Sequence, residues 1–131
     1  MSAPIIFISN QKIKAGKFED YKRHYQQTVE LIKANKPGTL AHLAFSDEDG
    51  NHASIIHVFP DAQSLEFHLQ GAGELAQKAF EYMDIVSIDI YGRPSDSVLA
   101  KMQQIAGSGV VLNLKPQNLG GYLRLEADRK S

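Results

Sequence analysis

The stretch TLAHLAFSDEDGNHASIIHVFPDAQSLEFHL, residues 39–69, decides the fold of this 131-residue chain. Residues 39–46 alternate weakly between apolar and polar side chains, residues 47–51 are rich in turn-forming residues, and residues 52–59 are rich in isoleucine and valine. Two extended segments around a short turn predict a β-hairpin. Asp61 can then cap a helix whose apolar residues recur at helical spacing.

The segment before the hairpin predicts one strand and one helix. Residues 4–14 begin with a β-branched apolar run and then alternate, which is typical of a strand. Pro37 and Gly38 end the helix that follows, because proline forbids its continuation and glycine permits a reversal. Apolar side chains three or four residues apart predict that this helix covers residues 17–34: Phe18, Tyr21, Tyr25, Val29 and Ile32.

The segment after the hairpin predicts an interrupted helix and a fourth strand. Gly71 and Gly73 fall inside the helical pattern and each costs about 1 kcal/mol relative to alanine, so we expect a break or kink near residue 71. Residues 84–92 alternate between apolar and polar side chains and predict a strand. We expect Val86, Ile88 and Ile90 on one side of this strand and Ser87, Asp89 and Tyr91 on the other.

The order of these elements is strand, helix, strand, strand, helix, strand. This is the order of the ferredoxin-like α+β fold, in which both helices cover one face of an antiparallel sheet. We expect this unit to occupy residues 1–93. Apolar residues on both sides of the strands predict that the second face of the sheet is covered too. The simplest cover is another copy of the chain, so we expect a homodimer.

Residues 94–131 form a C-terminal arm beyond this unit. Their pattern predicts a helix over residues 95–106 and short strands at residues 110–114 and 122–125. Such an arm either packs on the edge of its own sheet, as part of one globular unit, or embraces the partner at the dimer interface. We favour the partner, because sheet edges need protection.

Composition excludes several classes of protein. Fourteen Lys plus Arg against fifteen Asp plus Glu give a formal net charge of -1, so no global field attracts nucleic acid. The absence of cysteine excludes disulfides, thiolate nucleophiles and cysteine-ligated metals. The first residues lack a basic region and a long apolar run. We therefore expect a cytoplasmic protein that binds neither nucleic acid nor membrane.

Histidines are the natural candidates for proton transfer. If the hairpin closes symmetrically around Asp49 and Gly50, His42 and His57 lie directly opposite each other. His68 belongs to the apolar stripe of the second helix and can face the sheet from above. The three histidines can then converge, and we expect a shared polar pocket that contains at least two of them. The alternative is that each is an ordinary hydrogen-bonded core residue, and a one-residue register slip would separate them.

Other chemistry is weakly supported by residue spacing. No HxH or HExxH spacing is present, so we expect no metal site. No GxSxG motif supports a serine nucleophile. Tyr21 and Tyr25 follow one another on the stripe of the first helix and can either line the pocket or belong to the core.

Four segments together resemble the antibiotic biosynthesis monooxygenase domain of the dimeric α/β-barrel superfamily. They are IKAGKF at residues 13–18, ANKPGT at residues 34–39, the Asp49-Gly50 hairpin, and VFPDAQSLEFHL at residues 58–69. The resemblance covers about residues 4–92. It implies a homodimer whose two sheets close into a barrel, with a pocket between helices and sheet in each subunit. It also implies cofactor-independent oxidation of quinols or anthrones.

The resemblance assigns roles to three residues. Asn10 matches the pocket asparagine of the family, and His68 matches the histidine of its second-helix motif. Phe59 stands where many members have tryptophan, which removes an indole N–H donor. In oxygenation without a cofactor, the protein deprotonates the substrate and holds the anion in a dry cavity. His68 would be the base and Asn10 the hydrogen-bonding partner of the anion.

The haem-degrading branch of the same superfamily fits less well. Its iron-ligating histidine would fall near Lys78, and a protonated lysine is no ligand. We expect no cofactor.

The sequence as a whole predicts a cofactor-independent monooxygenase that acts on a small aromatic or quinol-like substrate. We expect the substrate to contact His42, His57, Phe59, Tyr25 and Tyr21. The alternative is a non-catalytic homodimer of the same fold that binds a small hydrophobic ligand.

Overall fold

The computed structural model describes residues 3–124, which form five strands and four helices. The strands are β1 (Ile5–Ile13), β2 (Ala41–Ser46), β3 (His52–Phe59), β4 (Met83–Tyr91) and β5 (Val111–Lys115). The helices are α1 (Phe18–Asn35), α2 (Ala62–Leu69), α3 (Ala72–Ala79) and α4 (Asp96–Ala106). None of the helices in residues 3–124 has the length and apolarity needed to cross a membrane.

The strands form one sheet in the order β2-β3-β1-β4-β5. The first four pair antiparallel, and β5 lies parallel to β4 at the edge. The order of β1 to β4 and the two intervening helical segments confirm the predicted ferredoxin-like fold. Within one chain the sheet is open and does not close on itself.

The second helical segment is divided in two, as the glycine pair predicts. Asp61 caps α2, since its Oδ1 accepts a hydrogen bond from the backbone N–H of Ser64 at 2.8 Å. Gly71 then adopts φ +80°, a left-handed conformation that glycine tolerates better than other residues. The chain therefore ends α2 at Leu69 and starts α3 at Ala72.

The helices cover the sheet face to which the odd-numbered side chains of β1 point. These side chains are buried from Ile5 to Ile13, whereas their even-numbered neighbours remain partly exposed. The pairing of β1 with β4 shifts register between Asn10 and Gln11. This irregularity leaves Val86 53% exposed, whereas Ile88 and Ile90 are buried, so its predicted place on the same side as these two residues is wrong. Ile85 packs against the core in its stead.

The C-terminal helix packs on its own subunit. Val98, Met102 and Ala106 of α4 are buried in the same apolar cluster as Ile88 and Ile90 of β4. β5 extends the sheet of its own chain. Our expectation that the arm embraces a partner is therefore wrong for residues 96–115, because the arm fills a gap in its own core and protects its own sheet edge.

The end of the arm has no regular structure in its described part. Residues 116–124 form neither helix nor strand, so the strand predicted at residues 122–125 is absent from residues 122–124. Leu125 lies outside the described residues.

The other face of the sheet, which we call the open face, carries many apolar side chains. Leu43 and Phe45 of β2 are 51% and 61% exposed. Half-buried residues of β1 and β3 continue the apolar surface: Ile6, Ile8, Ile56 and Val58. Large apolar patches that face water mark interaction surfaces in soluble proteins.

The packing of α4 leads to a stability prediction. Met102→Ala should lower the free energy of unfolding by about 2–5 kcal/mol, because this side chain is 3% exposed in the core. Urea denaturation measures the change. Leu119→Ala is the control, since Leu119 is 98% exposed and its loss should change stability by less than about 0.5 kcal/mol. Equal effects of the two substitutions would contradict the packing described for α4.

Candidate functional site

Three histidines meet at one end of the helix-covered face, and we call them the histidine cluster: His42, His57 and His68. The register of the hairpin pairs His42 of β2 directly with His57 of β3, as the symmetrical turn predicts. Their ring centroids are 4.5 Å apart. His68 descends from α2, and its ring centroid lies 5.5 Å from that of His57. The predicted convergence of the three residues is therefore confirmed.

Each ring of the cluster forms a hydrogen bond through Nδ1. The Nδ1 of His57 lies 3.2 Å from the backbone carbonyl of Phe7, which can only accept, so Nδ1 carries the hydrogen. The Nδ1 of His42 lies 2.9 Å from the Tyr25 hydroxyl. The Nδ1 of His68 lies 2.8 Å from the Thr39 hydroxyl. Nε2 is the ring nitrogen left for other chemistry in each case.

Burial keeps the cluster uncharged at neutral pH. Loss of hydration lowers the pKa of His42 to about 4. It does the same for the pKa of His68, with smaller contributions from His42 and Lys36. The pKa of His57 is held well below its ordinary value, first by burial and then by its two histidine neighbours. All three imidazoles can therefore accept a proton or bind through a lone pair.

The cluster faces a cavity of about 340 Å³ between the helices and the sheet. The floor carries Ser9 and Gln11 of β1, and the walls include Tyr21 and Tyr25 of α1. Apolar side chains supply most of the remaining surface, among them Leu31, Ile55, Leu75, Ile88, Met102 and Ile105. A cavity of this volume, apolar with a few polar groups, is typical of a small-molecule site.

The cavity contains two groups of residues that sequence reasoning missed. Ser9 and Gln11 point into it because they lie two and four residues after Phe7 on β1 and therefore on the same face of the sheet. The alternation of β1 was visible in the sequence and could have indicated both. Met102 and Ile105 reach it from α4. Their role depends on where an added helix packs, and no local pattern shows that.

A chain of hydrogen bonds crosses the floor of the cavity. The Tyr21 hydroxyl donates to Oε1 of Gln11 at 2.6 Å, and Nε2 of Gln11 donates to Oγ of Ser9 at 3.0 Å. Burial raises the pKa of Tyr21, so its hydroxyl keeps its hydrogen. No described residue accepts the hydrogen of the Ser9 hydroxyl. This hydroxyl is therefore the donor that the chain of bonds offers to the cavity.

Asn10 does not lie in this cavity, and its predicted place beside His68 is wrong. It pairs with Ser54 and Ser87 on the open face of the sheet. Its Nδ2 donates to Oδ2 of Asp89 at 2.9 Å, and its Oδ1 accepts from the Ser54 hydroxyl at 2.9 Å. Side chains alternate between the two faces along a strand, and Asn10 and Phe7 are three residues apart on β1. Their side chains therefore point to opposite faces of the sheet.

Phe59 does not line the cavity either, so its predicted contact with substrate is wrong. Its side chain is fully buried and has no exposed surface. The ring packs edge-on against His68, with centroids 5.2 Å apart. Phe59 therefore supports the cluster from within the core, while the other predicted contacts, His42, His57, Tyr21 and Tyr25, do line the cavity.

The remaining two histidines lie outside the cluster. His24 of α1 lines the cavity away from the three rings, with its own ring centroid 5.4 Å from that of Tyr82. His52 begins β3 at the exposed end of the hairpin, and its Nδ1 is 3.3 Å from Oδ2 of Asp47. His52 is therefore a suitable control for substitutions in the cluster.

Comparison with known proteins identifies the fold. No protein-family model and no curated protein matches the sequence. Among solved structures, MupZ from Pseudomonas fluorescens is 21% identical with a TM-score of 0.67, and the match covers 91% of this chain and 95% of MupZ. This match spans about 119 residues, so it extends beyond β4 into the C-terminal arm.

Two further structures connect the fold with oxygenases. SnoaB, a cofactor-independent oxygenase from Streptomyces nogalater, is 15% identical with a TM-score of 0.60, and the match covers 72% of this chain and 96% of SnoaB. A protein from Bacteroides thetaiotaomicron that is assigned by name to the antibiotic biosynthesis monooxygenases is 16% identical with a TM-score of 0.55, over 63% of this chain and 85% of that one. The resemblance stated from the sequence is thus confirmed at the level of the fold.

The lowered pKa values of the cluster lead to a prediction on stability and pH. The unfolded chain binds protons on histidine near pH 6.5, whereas folded His42 and His68 do so only near pH 4. The stability that the neutral rings contribute is therefore complete above pH 6.5 and is lost as pH falls toward 4. The free energy of unfolding falls by up to about 1.4 kcal/mol per pH unit for each of the two histidines.

Urea denaturation at pH 7 and pH 5 measures this loss. We expect His68→Gln to lose less stability between the two pH values than the unsubstituted chain. His52→Gln should behave like the unsubstituted chain because His52 is exposed. An identical loss in His68→Gln and the unsubstituted chain would show that His68 is not a buried neutral group.

Proposed function

We propose that this chain is a cofactor-independent monooxygenase that oxidises a small aromatic or quinol-like molecule in the cavity between helices and sheet. The observation that carries the proposal is the position of three uncharged histidines on the wall of a largely apolar cavity. The proposal also draws on the fold that the chain shares with SnoaB, a cofactor-independent oxygenase.

The cavity suits the substrate class by size and by chemistry. Its volume of about 340 Å³ accommodates a small ring system. Its apolar walls favour an aromatic skeleton, since removal of apolar surface from water contributes about 25 cal/mol per Å². The polar groups of the lining include the histidine cluster and the Ser9–Gln11 floor, and these can orient a phenol or enol.

His68 is the residue that we assign as general base. Its Nδ1 is held by Thr39, which leaves Nε2 as the ring nitrogen free to act, and the residue lines the cavity. A neutral imidazole that removes a phenol or enol proton leaves an electron-rich anion, which is the species that reduces oxygen. The Ser9 hydroxyl is the donor assigned to stabilise this anion, in place of the amide of Asn10.

The overall reaction balances without an external reductant. For an anthrone-type substrate, a ring CH₂ becomes C=O, and the second atom of O₂ leaves as water with the two hydrogens. The four electrons that O₂ accepts come from the carbon that is oxidised. The protein therefore has to move a proton, hold the anion and exclude bulk water.

Oxygen consumption tests the assignment. With a panel of quinols and anthrones, His68→Gln should lower the rate about 10²- to 10⁴-fold, the range for loss of a general base. Ser9→Ala should lower kcat while leaving KM nearly unchanged, because its hydrogen bond strengthens as the anion forms. Asn10→Ala and His52→Gln are the controls and should retain the rate of the unsubstituted chain.

An unchanged rate in His68→Gln would show that His68 is not the general base. The proposed function itself is overturned by ligand binding without oxygen consumption across the panel, observed as a rise in melting temperature with aromatic compounds. That result would favour the alternative prediction, a non-catalytic binding protein.

We further propose that two copies of the chain associate through the open face. The face presents Leu43 and Phe45 at more than half exposure, beside the half-buried apolar side chains of β1 and β3. A second copy offers the same apolar surface, which makes an isologous pair self-complementary. In this arrangement the cavities lie on the outer sides of the paired sheets, one in each subunit.

Sedimentation at micromolar concentration tests this association. The unsubstituted chain should sediment with twice the 14.5 kDa mass of one copy. Phe45→Glu should shift it toward the single mass, because the substitution places a charge in the apolar interface. Gln27→Glu adds the same charge on the exposed side of α1 and should leave the dimer intact. A single 14.5 kDa species for the unsubstituted chain would exclude the dimer.

A further inference from the structure

We propose that the histidine cluster is a binding site for one divalent transition metal ion, with Zn²⁺ as the reference ion and one coordination position open to the cavity. His42, His57 and His68 each contribute one imidazole nitrogen. The sequence predicts no metal because the three residues come from two strands and a helix and have no diagnostic spacing. Their convergence in space is what indicates the site.

The geometry of the three rings is close to that of a three-histidine zinc site. One ligand nitrogen from each residue lies within 4.8 Å of the other two. Zn–N bonds of 2.0–2.1 Å in tetrahedral geometry place neighbouring nitrogens roughly 3.4 Å apart. Closing this difference requires the three side chains to move toward one another when the ion binds. The backbone positions of His42 and His57 are already fixed opposite each other by the hairpin register.

Hydrogen bonds at Nδ1 prepare the rings for a metal. Histidines that bind metals usually donate their other ring N–H to an oxygen, which fixes the ring and raises its basicity. All three rings have an oxygen partner of this kind, namely the Phe7 carbonyl, the Tyr25 hydroxyl and the Thr39 hydroxyl. For His57 the carbonyl dictates the tautomer and leaves the lone pair on Nε2.

The donor set selects a class of ion. Imidazole nitrogens suit Zn²⁺, Co²⁺, Ni²⁺ and Cu²⁺, whereas Mg²⁺ and Ca²⁺ require oxygen ligands. No Asp or Glu is among the described residues that line the cavity, so three neutral ligands leave the charge of the ion uncompensated. Lys36, whose Nζ is fixed on the carbonyls of Phe67 and Gln70, adds a further positive charge nearby. The site therefore attracts an anionic or lone-pair ligand to its open position.

Because Nδ1 of His68 is bonded to Thr39, metal binding and the proposed oxygenation would both use Nε2 of this residue. An ion on that nitrogen occupies the lone pair that would accept the substrate proton. The two uses therefore exclude each other, and an ion bound to the cluster should inhibit the cofactor-independent reaction. Binding itself requires no substrate and can be measured independently of activity.

Titration of the chain, after treatment with a chelator, tests the site. Co²⁺ should bind with one ion per chain and give the visible d–d absorption of a low-coordinate nitrogen site. Zn²⁺ should displace it, and Mg²⁺ should not bind. Tyr25→Phe should weaken Zn²⁺ binding about 10- to 100-fold, the range for loss of a group that positions a ligand. His68→Gln and His42→Gln each remove a ligand and should weaken binding more.

Matched substitutions distinguish the cluster from a surface site. His52→Gln and His24→Gln each remove a histidine outside the cluster and should bind Co²⁺ like the unsubstituted chain. Far-UV circular dichroism identifies variants that remain folded, and only those are compared. The proposal is overturned if the folded, unsubstituted chain shows no saturable one-to-one binding, or if binding is unchanged in both His42→Gln and His68→Gln.

The outcomes for the metal and for the oxygenase can be separated. If the metal-free chain consumes oxygen and Zn²⁺ inhibits it, both proposals stand. If the cluster binds Co²⁺ but no substrate in the panel is oxidised, the metal site stands and the proposed function fails. If oxygen is consumed while no ion binds, only the metal site fails.

Discussion

Antiparallel pairing around β1 is the constraint on which the other features of this molecule depend. The register sets Phe7 opposite His57, and the alternation of the strand then sends Ser9 and Gln11 to the same face. A slip of one residue would exchange the two faces and would place the apolar even-numbered residues of β1 under the helices. Cavity, histidine cluster and open face are thus consequences of one hydrogen-bonding register.

The histidine cluster is uncharged because no negatively charged group within residues 3–124 lies beside it to stabilise a protonated ring. Desolvation opposes protonation of each ring, and a proton on one ring opposes protonation of the next. No carboxylate is found among the described residues of the cavity wall. The cluster can therefore bind one cation at a time, either a proton or a metal ion. Both proposed uses, a proton from substrate or a metal ion, meet this condition.

Sequence patterns could predict the turn, the strand register and the helix faces, which depend on residues near one another in the chain. They could not predict where α4 packs, which depends on contacts between distant residues. The turn at Asp49 and Gly50 fixes the hairpin register, so the opposition of His42 and His57 was predictable, and helical spacing was enough to point His68 at the sheet. The error at Asn10 came from a matched position in a family resemblance, although the alternation of β1 assigns it to the face opposite Phe7. The contribution of α4 to the cavity depends on long-range contacts and left no local signal.

The open face combines an apolar surface with a group of polar side chains around Asn10 that form hydrogen bonds with one another. Asn10 donates to Asp89 and Ser87 and accepts from Ser54, so its hydrogen-bonding capacity is largely used within the chain. Groups already paired lose little when water is removed, whereas the apolar residues around them gain. Association through this face would therefore be driven by its apolar side chains, with the polar group restricting how two sheets can align. Because the cavity lies across the sheet, such an interface can form without displacing a ligand from the site.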